Sequence, residues 1–327
     1  MHFFLLFIII INTLLLIYNS QIAKKFNLYD FPDNNRKIHI EKVPLTGGII
    51  FFLNLIVYFV ATFYLDNLFF IFNDNLKNFI FIISVFVLFI IGFFDDKYNF
   101  SAKKRLFFFI VVILINLYFI PELHLKHIKI SFLSNFYIGN YSIIWTLICF
   151  LLFINAFNFF DGINLQSAGL IYAICFFCLY KNIFSEFFLI ILLANSFFIY
   201  LNYNSKMFLG NNGSFYLPFL FGSILISSYN NSPSLMADEV VVLMLIPGLD
   251  LVRLFVQRIM NKTNPMDADK HHIHHYLIKK FSQTKSALII QLLIWIPLFL
   301  SQHFGYIQFI LIAQTISYFL IILRYKS

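Results

Sequence analysis

Long apolar runs with few interruptions recur along the whole chain. The runs FFLLFIIIINTLLLIY, from residue 3, and FIFIISVFVLFIIGFF, from residue 79, are each about long enough to cross roughly 30 Å of hydrocarbon as a helix. We count about eleven such runs, with cores near residues 3–19, 47–64, 79–94, 106–120, 143–159, 167–180, 186–201, 214–228, 237–256, 287–301 and 305–323. The pattern predicts an all-α, polytopic integral membrane protein with about eleven transmembrane helices, in which residues 1–327 form one domain.

Composition agrees with a bilayer location and predicts an orientation. Of the 327 residues, 61% are hydrophobic and 12% are charged, with a mean hydropathy of +0.83. Alternate loops assign most of the 23 Lys and Arg residues to one face, which we predict to be cytoplasmic, with the N-terminus outside and the Arg324 and Lys326 tail inside. No basic residue precedes the first run and no small-residue cleavage site follows it, so we expect a retained helix. Because membrane-flanking charge accounts for the net charge of +8, no nucleic-acid partner is expected.

The loop after the third run contains a pair of adjacent carboxylates. In GFFDDKYNFSAKKRL, Asp95 and Asp96 lie at a helix end, and Lys103, Lys104 and Arg105 follow two to three turns later. Adjacent carboxylates can share a hard divalent cation, and a basic cluster can bind phosphate oxygens. Ordinary positive-inside flanking charge is the alternative, but paired Asp at a membrane boundary is costly without a partner, which favours a functional site.

Two further segments place polar residues at predicted helix ends. INAFNFFDGINLQSAG carries Asn155, Asn158 and Asp161, which indicate a polar site facing the bundle interior, although alone they would suit a helix C-cap. In MFLGNNGSFYL, the glycines permit a tight turn and Ser214 can cap the next helix, whose N-terminus would attract phosphate. A simple turn is the alternative interpretation of the second segment.

The longest loop, 257–286, concentrates histidines near charged residues. His271, His272, His274 and His275 lack the spacing of the helical zinc motif, and no Cys accompanies them, so we expect no zinc. Near Arg258, these side chains suit donating hydrogen bonds and charge to a pyrophosphate.

Taken in order, these loops resemble the motifs of the polyprenyl-phosphate N-acetylhexosamine-1-phosphate transferases, glycosyltransferase family 4. The resemblance rests on RKIH...PLTGG, the DD pair with a basic residue ten positions on, NAxNxxDG, LGxxGS and HIHH. The HIHH ending is similar to the branch that initiates O-antigen, enterobacterial common antigen and teichoic acid linkage synthesis, rather than to the phospho-MurNAc-pentapeptide translocase branch.

The resemblance implies transfer of a HexNAc 1-phosphate from UDP-HexNAc, by default UDP-GlcNAc, to undecaprenyl or another polyprenyl phosphate, with release of UMP. It implies a Mg²⁺ cofactor, with Mn²⁺ as a substitute. It also implies a bacterial inner-membrane location with the active site on the cytoplasmic face.

The same resemblance assigns roles to individual residues. It places Asp95 and Asp96 at the lipid phosphate and the metal, Asn211 at the metal, Asn158 and Asp161 at the nucleotide, and Phe208 on uracil. It places His272, His274 and His275 near the diphosphate. Substrate binding is further expected from Lys37, His39, Lys42, Arg105, Asn155 and Arg258.

Two positions depart from the family pattern and keep a second function open. Asn211 and Asn164 stand where the family usually has Asp. Asn can still coordinate a hard cation but brings no charge. A catalytically impaired paralogue that binds lipid phosphate or UDP-sugar is therefore an alternative.

A membrane transporter or flippase is a third alternative, since many apolar helices with a few polar residues would suit one. The sequence places nearly all polar residues in the cytoplasmic loops, and Asn12 and Asn54 are interpreted as isolated helix-packing groups. Faces that pack against other helices and faces that would form a homodimer look alike in such a sequence, so a homodimer stays open.

Overall fold

The structure is a computed structural model that describes residues 2–32, 39, 41–64, 71–264 and 270–326. Its helices are α1 His2–Phe26, α2 Gly47–Tyr64, α3 Asn75–Tyr98, α4 Ala102–Phe119, α5 Ser142–Phe160, α6 Gln166–Tyr180, α7 Ser185–Tyr203, α8 Asn211–Ser214, α9 Tyr216–Asn231, α10 Ala237–Met260, α11 Ile273–Ile278, α12 Gln283–Phe304 and α13 Ile307–Tyr325. Every apolar run in the sequence overlaps one of these helices. The all-α class is therefore confirmed.

Within the described residues, six helical segments are long and apolar enough to cross a membrane. They are Leu6–Phe26, Asn75–Tyr98, Gly139–Phe160, Ser185–Tyr203, Gln283–Phe304 and Ile307–Tyr325. Large apolar side chains such as Ile17, Phe79 and Phe107 are more than half exposed on the outer helix faces, which suits a surrounding of lipid rather than water. The protein is a multi-pass membrane protein. Eleven crossings and the placement of the termini stay predictions.

Two short antiparallel strand pairs add to the helices. Strand β1, Tyr29–Asp30, pairs with β2, Val43–Pro44, and β3, His127–Ile128, pairs with β4, Phe136–Tyr137. Each strand has only two residues. The first pair matters for the site because it joins the ends of the segment between α1 and α2.

Aromatic packing ties α2, α3 and α9 together. The rings of Phe52 and Phe89 stack with centroids 3.8 Å apart. The ring of Tyr216 meets both edge-on, at 5.7 and 5.9 Å. Such contacts contribute beyond the area they bury, and here they fix three helices around one point.

Polar side chains inside the apolar bundle occur in pairs. Asn12 and Asn54 donate to each other's side-chain oxygens at 2.8 and 2.9 Å, joining α1 to α2. Asn116 donates to Ser84 at 2.7 Å, joining α4 to α3. The interpretation of Asn12 and Asn54 as helix-packing groups holds, but they are not isolated, because each satisfies the other where water is excluded.

The short helix α8 lies between α2 and α3 at two glycines. A Cβ atom at Gly92 would overlap the backbone carbonyl of Asn211, and one at Gly48 would overlap the backbone nitrogen of Gly213. Only a residue without a side chain permits this approach of backbone to backbone. The glycines therefore set how deeply the 211–214 turn lies in the bundle.

We expect Gly92→Ala to lower the free energy of unfolding by about 1–3 kcal/mol, because the added methyl must displace backbone rather than a flexible side chain. The measurement is the melting temperature in detergent. Gly248→Ala in α10 is the matched control, since no heavy atom lies within 4 Å of its added Cβ. Equal melting temperatures for the two variants would contradict this account of α8.

Candidate active site

Backbone hydrogen bonds hold the segment before α8 against the start of α2. Phe208 N donates to Pro44 O at 2.9 Å, and the amides of Gly47 and Gly48 donate to Phe208 O and Leu209 O at 2.9 and 2.8 Å. Gly210 follows with φ +75°, in the left-handed region that favours glycine. This turn fixes the backbone position of Asn211 and therefore the direction of its side chain.

The Asp96 carboxylate binds the first amides of α8. Its Oδ1 accepts from Asn211 N at 2.8 Å, and its Oδ2 accepts from the backbone N and side-chain Nδ2 of Asn212 at 3.0 and 2.5 Å. The expectation that the N-terminus of the helix after Ser214 would attract phosphate stays a prediction, and it does not extend to α8. The anion at these amides is the protein's own carboxylate.

The Asp95 carboxylate is fully buried and has partners on both oxygens. Its Oδ1 accepts from Phe100 N at 2.6 Å and lies 3.3 Å from Arg105 Nε, while its Oδ2 accepts from Asn211 Nδ2 at 2.7 Å. Asn99, with φ +50°, ends α3 in the left-handed conformation and turns the chain so that α4 brings Arg105 back to Asp95. The DD pair and the basic residue ten positions on thus form one unit.

The amide of Asn211 links two helices across the site. Its Nδ2 donates to Asp95, and its Oδ1 accepts from Asn158 Nδ2 of α5 at 2.9 Å. Asn158 Nδ2 also donates to Ser214 Oγ at 2.6 Å. The expectation that Ser214 caps the next helix was wrong, because the N-cap of α9 is Phe215 and Ser214 belongs to this polar chain instead.

These groups line or adjoin one cavity of about 980 Å³. Residues expected at the site that line it are His39, Asp96, Arg105, Asn155, Asn158, Asp161, Phe208, Asn211, Arg258, His272, His274 and His275. Asp95 lies behind Asn211. Segments more than 200 residues apart in sequence therefore meet at one cavity.

One of the expected substrate-binding residues, Lys42, is not among the described residues that line the cavity. Lys42 is exposed, and its ammonium lies 4.8 Å from the ring centroid of Tyr29, which does line the cavity. Lys37 lies outside the described residues. Their assigned roles stay predictions.

The histidine cluster packs against the end of α5. The rings of His272 and His274 are parallel within 4° with centroids 5.4 Å apart, and the ring of His275 lies 4.3 Å from that of His274. A Cβ atom at Gly162 would overlap the His274 ring. Glycine after Asp161 therefore permits a close approach of two distant segments, in addition to ending a helix.

Two buried or partly buried acids at the site were missed from the sequence. Asp250 of α10 accepts from His272 Nδ1 at 2.8 Å, and Asp30 of β1 lies 2.8 Å from His39 Nε2. A signal existed for Asp250, since it and Arg253 interrupt an apolar run at helical spacing i, i+3. Asp30 begins the segment that contains RKIH...PLTGG, but it lies outside that motif, so nothing singled it out.

The carboxyl group of Asp161, which lies outside the membrane-spanning segments, has a raised pKa. Burial, together with a smaller effect of the nearby negative charge of Asp30, raises the pKa of its carboxyl to about 6. Because Asp30 and Asp161 face the same cavity, ionisation of both carboxyls is unfavourable unless a ligand or cation is bound. The site is therefore prepared for partners that bring hydrogen-bond donors or positive charge.

The side chains at the site could supply only part of the coordination shell of Mg²⁺, so other ligands would have to complete it. Asp95 Oδ2 and Asn211 Oδ1 each accept one side-chain hydrogen bond, from Asn211 and Asn158, which a cation could replace. The Asp96 oxygens accept three hydrogen bonds from the start of α8, two of them from backbone amides. Among the described residues, no group of three His, Cys, Asp or Glu side chains is arranged to hold a metal ion. Mg²⁺ commonly takes one or two carboxylates and completes its octahedron with water and substrate phosphates, which this wall allows.

The sequence is similar to one family of membrane transferases. Residues 78–229 match the family described as glycosyl transferase family 4. The chain is 29% identical over 282 residues to the undecaprenyl-phosphate alpha-N-acetylglucosaminyl 1-phosphate transferase of Thermotoga maritima, covering 83% of this chain and 80% of that protein. It is 26% identical over 284 residues to the probable undecaprenyl-phosphate N-acetylglucosaminyl 1-phosphate transferase of Bacillus subtilis, with coverages of 84% and 76%. It is 25% identical over 300 residues to the Escherichia coli K12 enzyme with the same name as that of Thermotoga, with coverages of 88% and 78%.

The raised pKa of Asp161 predicts a pH-dependent effect of Asp161→Asn on stability. The folded protein binds the Asp161 proton more tightly than the unfolded chain does, so ionisation of Asp161 lowers the free energy of unfolding. This loss is absent below pH 4, grows as the pH rises to 6 and is complete above that. We expect the variant to gain up to about 3 kcal/mol at pH 8, as an upper limit from the two-unit shift, and little at pH 4.

Melting temperatures from pH 4 to pH 8 measure this difference. Glu41→Gln, an exposed change of the same kind, is the control and should show no pH-dependent gain. If Asp161→Asn melted below the wild type at pH 8, the carboxylate would be stabilised in its ionised form and the account of this wall would be wrong.

Proposed function

We propose that this chain is a member of glycosyl transferase family 4, within the polyprenyl-phosphate N-acetylhexosamine-1-phosphate transferases. In this proposal it transfers N-acetylglucosamine 1-phosphate from UDP-N-acetylglucosamine to undecaprenyl phosphate. The names of its relatives support the reaction. The observation that carries the proposal is the hydrogen-bonded chain Asp95–Asn211–Asn158, in which Asn211 and Asn158 line one cavity with Arg105 and the histidines and Asp95 lies directly behind Asn211. An acidic cation-binding edge facing cationic donors is what a reaction between two phosphate-bearing substrates requires.

The chemical step is an in-line displacement at the β-phosphorus of the nucleotide sugar. A phosphate oxygen of the lipid forms the new P–O bond, and the bond to the UMP oxygen breaks. Since the second pKa of a phosphate monoester is about 6, the attacking phosphate is already largely dianionic near neutral pH. A general base therefore has little to remove, and Asp95 acts by positioning.

Repulsion between the two anionic substrates is the main barrier that the protein must lower. Arg105 is held beside Asp95 by hydrogen bonds from Nε and Nη2 to Phe100 O at 3.1 and 3.0 Å, so its guanidinium is preorganised. Arg258 and the histidines supply donors from the opposite elements. Preorganised donors of this kind stabilise charge in the transition state without further rearrangement.

A bound Mg²⁺, or Mn²⁺ in its place, would neutralise phosphate charge and align the reacting oxygens. Asp95 and the Asn211 oxygen are the side chains that would hold it, together with substrate phosphates. Asp96 is better suited to positioning, since its oxygens are already bound to the amides of α8.

Phe208 and Asp161 belong to the nucleotide side of the proposed site. The Phe208 ring meets the His39 ring edge-on at 5.3 Å, which supports an open face on which uracil stacks. Asn155 and Asn158 offer amide groups between this side and the phosphates.

The lipid tail is proposed to enter between α4, α5 and α10. There the cavity wall is apolar and consists of Leu106, Phe109, Ile148, Leu151, Leu152, Leu251, Val252 and Phe255. A cavity with one polar end and one apolar end suits an amphiphile whose tail stays in hydrocarbon.

We propose that the active site lies on the cytoplasmic face of a bacterial inner membrane, with the N-terminus outside and the C-terminus inside. The distribution of basic residues along the sequence supports this orientation.

A catalytically impaired paralogue is the second candidate, and one contact favours it. The Asn211 amide donates to Asp95 where an acid at that position would leave room for a cation. The transporter alternative has no comparable support from a contact.

The transferase proposal predicts that Asp95→Asn lowers Mg²⁺-dependent UMP release by roughly 100-fold or more, because a positioned carboxylate is lost from the reacting centre. UMP release is measured in detergent with undecaprenyl phosphate and UDP-N-acetylglucosamine, with Mg²⁺ or EDTA. Asp74→Asn is the matched control, since it makes the same change at the other end of α3 and Asn is an equally good N-cap. Full activity in Asp95→Asn, or equal losses in both variants, would refute the role of Asp95.

Asn211→Asp separates the two candidate functions. The new carboxylate would face Asp95 without the present hydrogen bond, so we expect the apo protein to melt lower and Mg²⁺ to raise its melting temperature more than in the wild type. If the site is adapted to Asn, turnover falls. A large gain in turnover would instead identify the wild type as an impaired paralogue. Asn164→Asp, away from Asp95, should leave the Mg²⁺ effect unchanged.

A further inference from the structure

Asp250 is the centre of a buried hydrogen-bond network behind the histidine cluster. Its Oδ1 accepts from Arg253 Nη2 at 2.8 Å, Ile273 N at 3.1 Å and the Tyr318 hydroxyl at 2.8 Å. Its Oδ2 accepts from His272 Nδ1 at 2.8 Å. The carboxylate is 5% exposed and connects α10, α13 and the segment before α11. A buried carboxylate with this many donors is a rigid point of attachment.

We propose that Asp250 is a positioning residue that fixes the ring orientation and the Nδ1-protonated form of His272, so that Nε2 is presented to the cavity. The inference rests on the proposed function, in which His272 contacts the diphosphate. An ionised carboxylate only accepts hydrogen bonds, so Nδ1 must be the donor. The remaining nitrogen then either accepts from a ligand or, when the ring is protonated, donates charge to it.

The surroundings of His272 agree with a ring held for a ligand. Its ring lies 5.7 Å from that of Phe159 and is parallel to that of His274, so it is packed on two sides. The residue is 8% exposed and lines the cavity. Within the part of the chain that the structure describes, Nε2 has no hydrogen-bond partner. A buried, oriented imidazole with one unsatisfied nitrogen facing a cavity is the expected arrangement of a ligand contact.

The division of donors between the two carboxylate oxygens explains why an amide cannot replace Asp250. In Asp250→Asn, the amide oxygen would remain on the Oδ1 side, where three donors converge, and the amide NH₂ would therefore face His272 Nδ1. Two donors cannot meet, so the ring would move its proton to Nε2. It could then no longer carry protons on both nitrogens, and the positive charge toward the diphosphate would be lost. Carboxylate-to-amide replacement is known to act through such a change of tautomer in a serine-protease triad.

Arg253 and Tyr318 extend the network without touching His272. Arg253 Nε donates to the Tyr318 hydroxyl at 2.7 Å, and Arg253 Nη2 also donates to His271 O at 2.5 Å. Tyr318 is fully buried. Tyr318→Phe therefore removes one donor to Asp250 while leaving the His272 contact intact, which makes it the matched control.

The first test is ¹⁵N-histidine solid-state NMR of the full-length wild type in lipid, with His272→Gln to assign the His272 signals. We expect the neutral ring to carry its proton on Nδ1 in the wild type and in Tyr318→Phe, and on Nε2 in Asp250→Asn. A neutral wild-type ring protonated on Nε2 would overturn the inference whatever the activity. This test uses no variant of Asp250 for its main result, so it holds if Asp250→Asn does not fold.

The second test separates positioning from general stability. We expect Asp250→Asn to lower kcat roughly 10- to 100-fold, as for other residues that orient a ligand contact through hydrogen bonds. Tyr318→Phe should lower the melting temperature but change kcat far less. In a His272→Gln background, Asp250→Asn should add no further loss of kcat. Losses of kcat that follow the melting temperature in all variants, or a full additional loss in the His272→Gln background, would show that Asp250 is merely structural.

The two proposals fail in different ways. If the wild type released no UMP with any UDP-N-acetylhexosamine, the proposed function would fall. The NMR result would still decide whether Asp250 orients His272, since the tautomer is read in the absence of substrate.

Discussion

The Asp96 carboxylate holding the first amides of α8 is the contact on which the site depends. Those amides belong to a turn that glycines at positions 48 and 92 admit into the bundle, and the turn carries Asn211 to Asp95. Without the carboxylate, buried backbone donors at the helix start would be unsatisfied, which is costly where water is excluded. One acid of the pair therefore serves the fold, and the other is the one to which we assign a role in the proposed reaction.

The same constraint explains why the cavity wall consists of polar groups in pairs and chains. Near a membrane boundary, each side chain that faces the cavity needs a partner behind it. Asn211 has Asp95, His39 has Asp30 and His272 has Asp250. In each pair an acid orients a side chain that the proposed function places at a substrate. Ionisation of such an acid is unfavourable unless hydrogen-bond donors or cations are near. The site thus gives up some stability for orientation, as functional sites commonly do.

The sequence predicted most of what depends on local properties. Apolar runs long enough to span a bilayer became helices, because length and hydropathy decide this without reference to distant residues. The motif order also identified most of the polar side chains in the cavity wall. The sequence could not supply the contacts between distant segments. Asp96 accepts hydrogen bonds from residues 115 and 116 positions later, and Asp250 connects His272 to Tyr318 across three elements. Ser214 was assigned to the adjacent helix for the same reason, since its partner Asn158 lies 56 residues earlier.

The central claim is that this cavity brings a lipid phosphate to the β-phosphorus of a nucleotide sugar. The most direct test is to incubate the purified protein with undecaprenyl phosphate and UDP-N-acetylglucosamine, identify the lipid product by mass spectrometry, and quantify the released nucleotide. The account predicts a diphosphate-linked N-acetylglucosaminyl lipid formed in equal amount with UMP. Release of UDP with a monophosphate-linked lipid would mean that the sugar–oxygen bond breaks instead, and would contradict the account.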